Sequence, residues 1–102
     1  MNEFTLDLSV GPGNPLYEGC QIEETPGNWH LKQQPGDVII LIGRNAEQIV
    51  KEKMVEGVEQ LTLTGRSAIW VYLVVFHSVV HRFRRIYYDD GKPNGKVLIA
   101  AH

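Results

Sequence analysis

One stretch of this chain leaves the fold little choice. Between Leu61 and His102, a strand-forming run over Leu61 to Thr64 breaks at Gly65-Arg66-Ser67 and gives way to an apolar helical run. Strand character returns over Phe83 to Tyr88 and again over Lys96 to Ala101. Strand, helix and strand in that order pack as a parallel pair with a crossover between them. The connector Asp89-Asp90-Gly91-Lys92-Pro93-Asn94-Gly95 suits an antiparallel hairpin between the last two strands. This stretch also concentrates polar chemistry on an apolar background: a glycine turn with an arginine, His77 and His81, and the carboxylates Asp89 and Asp90.

Upstream, Phe4, Leu6, Leu8 and Val10 alternate with Thr5, Asp7 and Ser9, the period of a strand with one buried face. Gly11-Pro12-Gly13 stops it, and prolines and glycines break any period as far as Gly36, which predicts a loop-rich connection with one short helix or strand near Tyr17 to Ile22. Trp29 and His30 stand in that loop without an interpretable signal. Val38 to Ile42 is a continuous, β-branched apolar run, as in a strand buried on both faces. Asn45 can then cap a helix over Ala46 to Val55, stopped by Gly57. Ser67 can cap the next helix, whose Ile69, Trp70, Leu73, Val74, Phe76 and Val80 predict burial nearly all round.

The resulting order predicts one small α/β domain over residues 1–102. Its sheet is mixed and mostly parallel, of about five strands, with two main helices, a C-terminal β-hairpin and a distantly Rossmann-like form. A domain this small buries only about two thirds of its unfolded surface, which favours a partner subunit. The single cysteine, Cys20, excludes an internal disulfide framework, and the N-terminus lacks the pattern of a signal peptide, so a cytoplasmic protein is expected. The longest apolar region, Ala68 to Val80, is 13 residues and falls short of the roughly 20 that span a membrane.

Residues 1–60 hold four basic and ten acidic side chains, net −6, while residues 61–102 hold six and two, net +4. A basic half with Arg66, Arg82, Arg84, Arg85, Lys92 and Lys96 favours an anionic partner, although an evenly wetted basic surface has the same counts. A strand-to-helix turn with glycine and a small cap exposes backbone N–H groups at the positive end of the helix dipole, where phosphate is a natural guest and the planar fork of Arg66 adds to it. An ordinary N-cap beside a surface arginine uses the same residues. Gly43-Arg44-Asn45-Ala46 echoes Gly65-Arg66-Ser67-Ala68 at a distance of 22 residues, and if both turns leave parallel strands, Arg44 and Arg66 flank one groove at the carboxyl edge of the sheet.

His77 and His81, four apart, lie on one side of a helix about one turn from each other. Together they can bind a metal or share proton transfer, with Asp89 or Asp90 supplying an oxygen, and they can equally be solvated helix-end histidines. The aspartate pair beside Gly91 is also a common turn signal. Tyr72, Tyr87 and Tyr88 can stack on a base or simply pack with their polar tips at the surface.

Taken together, Gly65-Arg66-Ser67-Ala68-Ile69-Trp70, His77, His81, Tyr88-Asp89 and the closing His102 resemble the small one-domain, manganese-dependent CRISPR-associated ring nucleases of type III systems. Their pattern is G-R-x-P-[IV]-W, a helix with H-x-x-H, then Y-D-P-R-L-G and a hydrophobic strand ending in histidine. The spacing from Trp70 to Asp89 matches without a gap, and the likeness covers about the last forty residues plus the Phe4 strand. Three positions depart: Ala68 replaces the proline, His81 lies one place beyond the second family histidine where Val80 stands, and Asp90-Gly91 replaces Pro-Arg.

The resemblance implies a homodimer that binds cyclic tetra-adenylate between two facing dimers, stacking into tetramers or filaments, and opens it to linear di-adenylate to switch off the antiviral response. It implies neither a membrane nor a DNA partner. His77 and His81 then serve in proton transfer or manganese binding, Asp89 orients the histidine or the metal, and Gly65, Arg66 and Ser67 hold phosphate. With the family arginine missing, either Arg85 or Arg66 replaces it, or the protein binds without cutting efficiently. Three other functions stay open: a non-catalytic sponge for the messenger, a metal-dependent RNA exonuclease, and a plain dimerisation domain.

Overall fold

The computed structural model describes residues 2–93 and 95–102. Strand β1 (Glu3–Asp7) leads through a 3-10 turn (Pro15–Tyr17) to a hairpin of β2 (Ile22–Thr25) and β3 (Asn28–Leu31), then helix α1 (Pro35–Val55). Strand β4 (Gln60–Thr64), helix α2 (Ile69–Val79), a second 3-10 turn (Val80–Arg82), β5 (Arg85–Asp89) and β6 (Lys96–Ala101) complete the chain. The main sheet runs β1-β4-β5-β6; the first three strands are parallel and β6 returns antiparallel to β5. This is the expected small α/β architecture with its C-terminal strand pair. Asn94, in the connector expected before β6, lies outside the described residues.

The sheet has four strands rather than about five because Val38 to Ile42 is helical. Pro35 at the first turn has the backbone angle a helix start needs, and Asp37 meets the positive end of the dipole. Val38, Ile42, Ala46 and Val50 recur every four residues and all are buried, whereas Ile40 between them is 68% exposed. That longer period, not the local β-branched run, decides the element.

The first Gly-Arg pair is therefore no turn. Gly43 sits inside α1 where α2 crosses closely: a Cβ there would lie 3.0 Å from Ser78 Oγ and 3.7 Å from Val74 Cγ1. Asn45 caps nothing; its Nδ2 donates to the carbonyls of Leu16 and Glu18, both at 2.9 Å, and ties the first 3-10 turn to the helix.

One core joins Leu6, Leu61, Leu63 and Ile86 of the sheet to Val38, Ile42 and Val50 of α1 and Val71, Val75 and Val79 of α2. Leu8, Leu16, Ile42, Leu61 and Ile86 are fully buried, each contributing about 1.5–3 kcal/mol of transfer free energy. α2 is not buried all round: Val71, Val75 and Val79 face the core, while Ile69 is 79% and Leu73 64% exposed. Among the described residues no helix is long and apolar enough to cross a membrane.

Candidate functional site

Parallel pairing gives the sheet two distinct edges. β1, β4 and β5 end together at Asp7, Thr64 and Asp89, the carboxyl edge, and the hydroxyl of Thr64 donates to the Asp89 carbonyl at 2.8 Å. At the amino edge Gln60 pairs with Arg85, and Arg85 with Ala101. Five strand residues separate the two edges by about 13 Å.

The β4–α2 turn is held rigidly at the carboxyl edge. Gly65 has φ +102, and a Cβ there would lie 2.1 Å from Asp7 Oδ1 and 2.8 Å from the Ser9 backbone nitrogen, so only glycine fits. Ser9 N–H donates to Asp7 Oδ1 at 2.8 Å, and Arg66 N–H donates to Ser9 Oγ at 3.0 Å. That Arg66 N–H is thus already used, and a carboxylate lies against the glycine.

Ser67 is not the helix cap; Ala68 takes that position without a side-chain hydrogen bond. The Ser67 hydroxyl instead pairs with Tyr17 Oη at 3.0 Å, and Tyr17 in turn donates to the Leu8 carbonyl. The hydroxyl of Tyr72 donates to the Gly65 carbonyl. Burial raises both phenols, Tyr72 to about 12 with added repulsion from Tyr88 and Asp7. These tyrosines serve as neutral donors that fix the turn. Tyr72 meets Tyr88 edge-on at 5.4 Å, and Tyr88 stays 37% exposed.

The imidazoles lie elsewhere. α2 starts at the carboxyl edge and ends at the amino edge, so His77 stands exposed in its last turn and His81 in the 3-10 turn after it. The His81 ring lies 5.5 Å from that of His102, whose N–H donates to the Arg84 carbonyl at 2.8 Å. Within one chain, Gly65, Arg66, Ser67 and Asp89 share one edge, and His77, His81 and Arg85 belong to the other. One chain therefore does not by itself bring the Gly-Arg turn, both imidazoles and the aspartate together.

Arg44 does not flank Arg66, since it projects from mid-α1 into a shallow pocket with Glu47, Gln48, Lys51 and Arg82. Asp89 Oδ1 accepts from the Gly91 N–H and Asp90 Oδ1 from the Lys92 N–H, so the pair shapes the turn before β6. Among the described residues no three or more of His, Cys, Asp and Glu gather as a metal site, and within one chain Asp89 lies at the carboxyl edge while His77 and His81 lie towards the amino edge.

Two concave surfaces adjoin the Gly-Arg turn. The larger, about 490 Å³, is an open apolar groove between α2 and the β5–β6 pair, lined by Ile69, Leu73, Phe76, Tyr88 and Ile99. The other, about 280 Å³, lies between the β2–β3 hairpin and the start of α2, with Trp29, Leu31, Arg66, Ser67 and Trp70 among its walls. Trp29 and His30, which carry no signal in the sequence, are brought to the turn by that hairpin. A Thr25-Pro26-Gly27-Asn28 turn closes it, with Gly27 at φ +86 and Thr25 paired to Asn28. Pro-Gly between two short runs ending in Ile22 and Leu31 is the signal that marks it. No family model, curated protein or solved structure matches the chain.

Proposed function

We propose that this protein binds cyclic tetra-adenylate at the carboxyl edge of its sheet and opens the ring to linear di-adenylate, with the site completed by a second copy. The observation that carries this reading is the division of the ring-nuclease-like residues between two edges: Arg66 and Asp89 on one, His77, His81 and His102 on the other. Copies stacked head to tail set the imidazoles of one against phosphates held by the next. Arg66 stands at the carboxyl edge while Arg82, Arg84 and Arg85 stand with the imidazoles at the amino edge, so phosphates held between stacked copies meet basic side chains from both. Exposed Ile69, Leu73, Val97 and Ile99 supply apolar surface for contact between copies.

In such a pair a ribose 2'-hydroxyl attacks its own phosphorus in line. The 2'-O–P bond forms, the bond from phosphorus to the 5'-oxygen breaks, a histidine takes the hydroxyl proton, and the departing 5'-oxygen receives one. Arg66 faces the charge that develops on the phosphorane. Two such cuts give two di-adenylates, each ending in a 2',3'-cyclic phosphate.

A binding-only sponge is the second reading, favoured by the separation of turn and imidazoles within one chain and by Gly91 standing where the family pattern has arginine. Incubation with cyclic tetra-adenylate, with manganese or with chelator and read by mass, separates the two. Di-adenylate supports the enzyme, and an intact ring that comigrates with the protein supports the sponge. An intact ring that does not bind ends both. Mixing Arg66→Ala with His81→Ala protein tests the shared site, since only a site built from two copies regains cleavage on mixing.

A further inference from the structure

The cleft beneath the β2–β3 hairpin contains both tryptophans of the chain, Trp29 and Trp70, together with the arginine of the Gly-Arg turn. Cross-strand register explains how this comes about. Ile22 pairs with Leu31 and Glu24 with Trp29, so Trp29 and Leu31 share one face of the hairpin, and that face turns towards α2, where Leu31 packs against the core. The hairpin base is fixed from both sides: Gln21 N–H donates to Gln33 Oε1 at 2.8 Å and Lys32 N–H to the Gln21 carbonyl at 2.9 Å. Trp29 nonetheless remains 37% exposed, a large aromatic ring held in place without being consumed by the core.

We infer that this cleft is a base slot: a nucleobase stacks on Trp29, above Trp70, while the phosphate attached to its ribose meets Arg66. Base–aromatic stacking is worth about 1–3 kcal/mol per base and needs only an exposed ring, and an arginine within the same cleft supplies the charge for the adjoining phosphate. At about 280 Å³ the cleft is too small to hold a cyclic tetranucleotide whole, so most of such a ligand stays outside it. Tyr88 is as exposed as Trp29, but its ring meets Tyr72 edge-on and no arginine is among the described residues lining its groove, while Tyr87 lies under the Lys96 ammonium. The identification of the base as adenine rests on the proposed cyclic tetra-adenylate function; the slot itself rests on the cleft.

Tryptophan emission reads this directly. In Trp70→Phe protein, where Trp29 is the sole tryptophan, adenosine 5'-monophosphate and cyclic tetra-adenylate are expected to quench tryptophan emission, and inorganic phosphate is not. In Trp29→Phe protein the ring is still bound, whereas Trp29→Ala lowers affinity by roughly tenfold. Circular dichroism of each variant establishes that the fold is kept. Quenching by the monophosphate with no binding of the ring sinks the cyclic tetra-adenylate reading and leaves the slot standing. Ring binding that leaves Trp29 emission and the Trp29→Ala affinity unchanged overturns the slot alone, and no response to either nucleotide overturns it as well.

Discussion

The carboxyl and amino edges belong to one sheet but are built by different means. At the carboxyl edge side chains hold the backbone: Asp7 and Ser9 clasp the Gly65 turn, Tyr72 bonds the Gly65 carbonyl, Tyr17 joins Leu8 to Ser67, and Asn14 donates to the carbonyls of Asp7 and Ser9. At the amino edge the backbone largely holds itself. Glu59 N–H bonds the Asn2 carbonyl, Arg84 N–H that of Glu59, and His102 N–H that of Arg84, while His77 and His81 face outward. The first arrangement fixes the backbone that carries Arg66 in advance of any ligand, which lowers part of the ordering cost of binding. The second presents imidazoles to whatever lies beyond the molecule. A site needing both is met by two copies more readily than by one.

The largest expected effect separates two glycines of like conformation. Gly65 and Gly57 both have positive φ, at +102 and +87, but a Cβ on Gly57 meets only Asn2 Nδ2, at 3.9 Å. Gly57→Ala is expected to cost about 1–2 kcal/mol, the left-handed backbone penalty. Gly65→Ala adds displacement of the Ser9 backbone and is expected to cost at least ~3 kcal/mol, read by urea unfolding. Equal losses would mean that the two edges are not differently constrained.

The tyrosines sharpen the contrast at intermediate size. Tyr17→Phe and Tyr72→Phe each leave a carbonyl at the carboxyl edge without its donor, an expected loss of about 1–2 kcal/mol. Both phenols are raised in the folded state by burial, Tyr72 from 10.0 to about 12. The unfolded chain therefore releases these protons first, so stability is intact below pH 10 and falls as pH rises towards 12. Tyr72→Phe should flatten that alkaline slope, measured by thermal unfolding between pH 9 and about 11.

These elements differ in how far the sequence announces them. The unit from β4 to β6 was legible because an alternating run, a glycine break and a long apolar run have no competing arrangement. Val38 to Ile42 misleads because five β-branched or leucine residues look alike in a buried strand and a buried helix; the deciding stripe needs Ala46 and Val50 as well. Of the candidate site, the Gly-Arg turn is readable, but the edge on which His77 and His81 fall follows from helix direction. Trp29 reaches Arg66 only through tertiary packing of a hairpin distant in sequence, which no local pattern encodes.

A smaller effect tests what joins the edges across the helix-free face. The Glu3 carboxylate accepts from Thr62 Oγ1 at 2.7 Å and from the Lys96 ammonium, which also lies 4.6 Å from the centre of the Tyr87 ring. Hydrogen bonds from Lys96, then Thr62, lower the Glu3 carboxyl below its ordinary 4.5. Its contribution is therefore present above pH 4.5 and is lost as pH falls through the lowered value. The pair is partly solvated, so Lys96→Met should cost less than about 1 kcal/mol at pH 7, and less again once Glu3 is protonated and only the contact with Tyr87 is lost.

The smallest effect on stability is expected at the amino edge itself. His81 is exposed, and its described contact is the tilted ring of His102 at 5.5 Å, while His102 is anchored through its own N–H rather than its side chain. His81→Ala should therefore change the unfolding free energy by no more than about 0.5 kcal/mol, as for other surface substitutions away from the core. Loss of ring opening with an unchanged melting temperature would assign His81 to chemistry. A loss above about 1 kcal/mol would instead mean that the two imidazoles clamp the end of β6 to the turn after α2, and that the amino edge, like the carboxyl edge, is held by its side chains.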